Sequence, residues 1–234
     1  MNTLEATYAD GATLEMDVPE SWDELSKKQF ASLAPLVYST NVVSMMARFI
    51  YKVLGKKLFK QISGDENIDE LSHGFAWLTT FPVLKKSHYK GFVLFGTRWM
   101  GVDDRLMDMN IEDFSICEQC LSYFDAPENQ KAFYGTIYKR GIFDFLPIRT
   151  AKKYALRLNY EAARGNLSAM YPALPASKSS KAPDYHALIL NISGKKFGNY
   201  NQTKRALLHD VLKDLELNAI EAAKQPQTTQ TLEV

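Results

Sequence analysis

Thiol and imidazole chemistry are scarce in this chain. Only two of its 234 residues are cysteine, Cys117 and Cys120, and its four histidines, His73, His88, His186 and His209, are scattered. So few cysteines exclude a disulfide-knit scaffold. A structural zinc site needs four closely spaced ligands, and Cys117-Glu-Gln-Cys120 has neither a second pair nor neighbouring histidines to complete one. No run approaches the roughly 18 apolar residues that mark a bilayer span. The longest candidate, residues 42–54, is interrupted by Ser44, Arg48 and Lys52. Neither sign of charge dominates: 28 Lys+Arg face 27 Asp+Glu, for a net charge of +1. A near-neutral chain has no general attraction for nucleic acid or an anionic membrane. Residues 1–8 show no basic n-region and no apolar run, so the expected location is a cytoplasm. In that setting the sequons at Asn166, Asn191 and Asn201 read as chance matches.

Catalytic signatures are missing as well. The chain has no GxxxxGK[ST], GxGxxG, HExxH or GxSxG. Gly194-Lys-Lys-Phe-Gly198 has the composition of a phosphate loop but not its order, and reads as a helix stop followed by a turn. The acidic pairs Asp103-Asp104 and Glu112-Asp113 sit at a turn and a helix start, where carboxylates are expected for capping and dipole reasons. No catalytic residue, cofactor site or metal site is expected. Cys117 falls on an apolar helical stripe with Ile111, Phe114, Leu121 and Phe124, so both thiols read as small buried hydrophobes rather than redox groups.

What the chain does contain is enough apolar material for a core. Hydrophobic residues make up 46% of it, and a chain of this size can bury about 70% of its unfolded surface. Residues 3–8 and 13–18 alternate around Asp10-Gly11, which reads as a β-hairpin. Ser21-Trp22-Asp23-Glu24 reads as a capping box opening a helix that carries Trp22, Leu25, Phe30 and Leu33, and that Pro35 ends or kinks. Further helices are expected at about 40–54 (stopped by Gly55), 69–80, 111–124 (capped by Asn110), 128–139, 148–164 (ended at Gly165), 184–192 and 203–223. Residues 89–95 and 97–100 read as a short strand pair. The fold class is therefore α+β and mainly α-helical: an N-terminal β-hairpin, then a helical domain with a short second strand pair. The expected partition is 1–172 as hairpin plus main domain, 173–183 as a Pro/Ser/Lys linker, 184–224 as a C-terminal helical pair, and 225–234 as a flexible tail.

Two surfaces stand out as binding candidates. Arg48, Lys52 and Lys56 recur every four residues, and Lys57 and Lys60 follow, making the most basic stretch of the chain. It suits phosphate or an acidic partner, but the acidic run Asp65, Glu66, Asp69 and Glu70 follows directly, and a solvated helix face is the favoured reading. Aromatics reach 12% of residues. Trp22, Trp99, Tyr134, Tyr160, Tyr171 and Tyr200 are the candidates for contact with a partner, since Trp and Tyr are enriched in interfaces. They equally suit a core in which their polar atoms find partners.

Five stretches stand together: Val18-Pro-Glu-Ser-Trp22-Asp-Glu-Leu-Ser26 with Gln29-Phe30; Trp99-Met-Gly101 with Asp104-Arg-Leu106 and Met109-Asn-Ile-Glu-Asp-Phe114; Tyr134-Gly-Thr-Ile-Tyr138-Lys-Arg140; Ala155-Leu-Arg-Leu-Asn-Tyr160-Glu161 with Arg164 and Tyr171-Pro172; and the helices from Tyr185 to Leu215. In these the chain resembles an uncharacterised family from the structural regions of tailed phages and prophages. The resemblance implies a non-enzymatic protein of virion morphogenesis, acting in tail assembly or as a minor virion component. It would bind other phage structural or assembly proteins inside the bacterial host, with self-association left open and no membrane partner. A nucleic-acid-binding module using the Arg48–Lys60 face, and an enzyme with an unrecognised site, are the alternatives.

Overall fold

The computed structural model describes residues 2–7, 13–38, 42–56, 75–78, 80–82, 84–89, 91–94, 97–101, 103–138, 150–174 and 185–224. Among the described residues helices dominate, with two small two-stranded sheets. The chain divides into two compact units: residues 1–91 with 145–163, and residues 92–144 with 164–234. Most of the expected linker at 173–183 and the expected tail at 225–234 lie outside the described residues.

The first unit opens with β1 (Asn2–Thr7) and β2 (Thr13–Val18), antiparallel and in register from Asn2 opposite Val18 to Thr7 opposite Thr13. The Asp10-Gly11 turn lies outside the described residues. The helix expected from Ser21 starts later. Residues Trp22–Glu24 form a single 3-10 turn, Leu25 is extended, and α1 spans Lys27–Val37. Its capping box is Ser26 with Gln29: the Ser26 hydroxyl accepts from the Gln29 amide at 3.3 Å, and the Gln29 side chain accepts from the Ser26 amide at 2.8 Å. The 21–24 segment has another use. The Asp23 carboxylate accepts from the amides of Lys85 and Lys86, so it ties down a distant loop instead of starting a helix. Pro35 neither ends nor breaks α1, which runs two residues beyond it.

Next, α2 (Val42–Phe49) widens into a π turn over Ile50–Leu54 and stops at Gly55, whose φ of +115° suits glycine. The wider turn is closed by the Gly55 amide donating to the Ile50 carbonyl at 2.8 Å. Of the helix expected at 69–80, only a 3-10 turn at Ala76–Leu78 falls within the described residues. The core of this unit gathers Trp22, Phe30, Leu33, Met46, Phe49, Ile50, Leu78 and Leu158. Some of its aromatic rings meet edge to face, as ring quadrupoles favour: Trp22 on Phe30 at 5.9 Å and Phe49 on Trp77 at 5.6 Å.

The second unit contains β3 (Gly91–Leu94, but for its first residue), β4 (Thr97–Met100), α3 (Ile111–Ser122) and α4 (Pro127–Tyr138). As expected, Asn110 caps α3, its side chain accepting from the Asp113 amide at 2.7 Å. α5 (Thr150–Met170) runs through Gly165 for a further turn instead of ending there; residues 150–163 belong to the first unit and 164–170 to the second. A lone glycine lowers helix propensity by about 1 kcal/mol, which is too little to end a packed helix. α6 (Tyr185–Ile192) lies where expected, and the 194–198 segment is the helix stop and turn read from its glycines.

The single helix expected at 203–223 is two helices, α7 (Tyr200–Arg205) and α8 (Leu208–Lys224). Between them Ala206 is extended, and Leu207 bridges Asn110 in strand fashion. The Ile111 amide donates to the Ala206 carbonyl at 3.0 Å, and the Leu208 amide to the Met109 carbonyl at 2.9 Å. These two bonds hold the α7–α8 corner against the start of α3. Ile111, Ile189, Ile192 and Val211 form the core there.

Candidate functional site

Of the six candidate contact aromatics, the structure places three in cores, which corrects the reading of them as partner-facing. Trp22 is 3% exposed, and its indole N–H donates to the Trp77 carbonyl at 3.0 Å. Tyr134 packs edge to face with Phe124 and Phe133 in the second unit, and Tyr160 is fully buried in α5. Each lies on the inward stripe of its element, where burial of 150–250 Å² of aromatic surface outweighs the half-polar character that suggested an interface.

Two more, Tyr171 and Tyr200, are half-buried and paired with histidines. The Tyr171 hydroxyl lies 2.6 Å from Nδ1 of His209, whose Nε2 lies 2.5 Å from the Arg105 carbonyl. A carbonyl can only accept, so Nε2 carries the proton and Nδ1 accepts from Tyr171. Burial pushes the Tyr171 hydroxyl up, and the Glu216 and Asp210 carboxylates add to that shift. The phenol is therefore held in its neutral, donating form, which suits a tether between the end of α5 and the start of α8. Tyr200 makes the same kind of pair, 2.8 Å from Nδ1 of His186. The side chain of Trp99, on β4, lies outside the described residues.

The basic stretch fares differently. Arg48, Lys52 and Lys56 are exposed, while Lys57 and Lys60 lie outside the described residues. The π turn changes the angular spacing after Phe49, and Gly55 ends the helix before Lys56. Lys52 folds its ammonium over the Tyr51 ring at 5.0 Å.

Several buried polar groups are held in hydrogen-bonded networks. Glu161 accepts from the Tyr38 hydroxyl at 2.8 Å through one oxygen and from Arg157 at 2.9 Å through the other, with the guanidinium 4.2 Å above the Tyr38 ring. Glu118 pairs with Arg164 at 2.9 Å, and burial near that carboxylate pushes the Tyr185 hydroxyl well up. His88 stacks on Phe30 at 4.3 Å and donates from Nε2 to the Trp22 carbonyl at 2.8 Å; burial lowers its basicity. Cys117 and Cys120 are buried free thiols, and burial raises both, Cys117 strongly. A thiol raised in this way is a poor nucleophile. Among the described residues no group of three or more His, Cys, Asp or Glu could hold a metal ion. Among them, too, no helix is long and apolar enough to cross a membrane.

The large apolar side chains that do face water are others. They are Tyr51 and Phe81 in the first unit and Met107, Tyr123, Leu190, Leu207, Leu217 and Ile220 in the second. Tyr123 is the most open, 75% exposed at the corner between α3 and α4. The corner is fixed: the Tyr123 amide donates to Cys120, the Ala126 amide to Tyr123, and Asn129 Nδ2 to the Tyr123 carbonyl at 2.8 Å. Its signal was present in the sequence, since Tyr123 falls one residue off the Cys117–Phe124 stripe and so points away from the core. Comparison with protein families, curated proteins and solved structures finds no match to this chain.

Proposed function

We propose that this chain is a non-enzymatic protein of tailed-phage morphogenesis that works by binding another virion protein, in tail assembly or as a minor virion component. The observation that carries the binding role is Tyr123, a large half-polar ring held out in water on a hydrogen-bonded corner. Because the corner is already ordered, docking it costs little conformational entropy. The phage assignment is supported by the motif resemblance of residues 18–30, 99–114, 134–140, 155–172 and 185–215.

The test is affinity capture of the tagged chain from phage-producing bacteria, with quantitative mass spectrometry of purified particles. The expected result is a phage structural protein captured by the wild type and lost with Tyr123→Ser. That variant should change stability by less than about 0.5 kcal/mol, as surface substitutions do. Capture of no phage protein, together with absence from particles, would refute the proposal. The exposed Arg48, Lys52 and Lys56 favour nucleic acid as the competing reading, and DNA binding that weakens steeply with salt would establish it instead.

A further inference from the structure

α8 carries two stripes. One faces inward through Leu208 and Val211, both buried. The other faces water and runs Asp210, Lys213, Leu217, Ile220, Lys224, with Glu221 beside it; all six are exposed, Leu217 by 48% and Ile220 by 37%. The spacing of three and four residues is that of the a and d positions of a heptad, the seam by which one helix packs on another. We propose that this outer stripe pairs antiparallel with the same stripe of a second copy of the chain, about a two-fold axis at Leu217.

The charges select both the partner and its direction. Asp210 and Lys224 each lie seven residues from Leu217, and Lys213 and Glu221 each lie four. An antiparallel pair centred on Leu217 therefore sets Asp210 against Lys224 of the second copy and Lys213 against its Glu221, twice over. A parallel pair in register would oppose each charge to itself. Leu217 then meets Leu217, flanked by both copies of Ile220. Such a contact is isologous and closes at two subunits. Within the chain these four charges make no ion pair with any described residue, whereas neighbouring ones do: Asp214 with Lys196 at 2.7 Å, and Glu112 with Lys204.

The seam from 210 to 224 is about 21 Å long at 1.5 Å per residue, short of what a standard interface of roughly 1,600 Å² needs. The dimer is accordingly weak and concentration-dependent. This inference does not rest on the phage assignment: a strictly monomeric chain would remove it and leave that assignment standing.

Sedimentation equilibrium of the full chain from about 1 μM to 1 mM, a range chosen for weak association, provides the test. The mass should rise from 26.6 kDa towards twice that value. Leu217→Glu should remain monomeric throughout. Lys213→Glu should also, because it sets carboxylate against carboxylate, and adding Glu221→Lys should restore association. Circular dichroism confirms that each variant is folded, as expected for exposed positions. A wild type that stays monomeric at every concentration would overturn the inference. So would association that survives Leu217→Glu and Lys213→Glu, or failure of the double swap to restore what the single swap removes.

Discussion

Replacing Trp22 by alanine separates a core role from a docking role by the size of its effect. The side chain is 3% exposed. A buried tryptophan removes about 200 Å² from water, worth about 5 kcal/mol at 25 cal/mol per Å². That figure is an upper bound, because real unfolded chains already bury part of this area. Large-to-small core substitutions of Trp and Phe cost about 3–5 kcal/mol. The indole hydrogen bond to the Trp77 carbonyl adds about 1 kcal/mol. Trp22→Ala should therefore destabilise by about 4 kcal/mol, a large part of the 5–15 kcal/mol typical of a folded protein. Trp22→Phe keeps most of the apolar mass but strips the carbonyl of its donor, and should cost about 1–3 kcal/mol. Urea unfolding followed by far-ultraviolet circular dichroism measures both. A Trp22→Ala midpoint within about 0.5 kcal/mol of wild type would refute the core assignment. If partner capture were lost at the same time, Trp22 would be the docking residue that its type first suggested.

His88 predicts an acid dependence. Burial lowers its pKa below the ordinary 6.5, so its stabilising contribution is complete above pH 6.5 and is lost as pH falls from there towards the folded-state value. The urea midpoint should drop between pH 7.5 and pH 5, and His88→Gln should flatten that drop; an unchanged slope would refute the assignment. Gly165→Ala should stabilise the protein by about 0.5–1 kcal/mol, since the residue lies in α5 and an added Cβ meets nothing within 4 Å. A fall in melting temperature would show that the helix is not continuous there. Cys117 and Cys120 should resist a thiol reagent in the native protein and both react in denaturant; rapid native labelling would contradict their burial.

Local chemistry made much of this fold legible in the sequence. The alternation of residues 3–8 and 13–18 yields β1 and β2 nearly residue for residue, because a period of two is a property of the strand itself. Asn110 caps α3 through its own side chain, within three residues. Of the stripe Ile111, Phe114, Cys117, Leu121 and Phe124, all are buried but Leu121, which is half-buried, as 3.6-residue spacing requires of one helix face.

Non-local contacts decided the rest. Two capping boxes, at Ser21 and Ser26, are equally good locally; the second starts α1 because Asp23 is engaged by amides more than sixty residues away. Nothing between 203 and 223 breaks a helix, since that stretch has neither Gly nor Pro. It breaks at Ala206–Leu207 because the backbone there bonds to Met109 and Ile111 instead of to itself. Burial of the aromatics was decided in the same way. Tyr134 and Tyr160 share their residue type with Tyr123, and the type alone does not say which side of a helix or turn will meet another element. Periodicity reports one element at a time. Which face is covered, and therefore which groups remain free to bind, is a property of elements packed together.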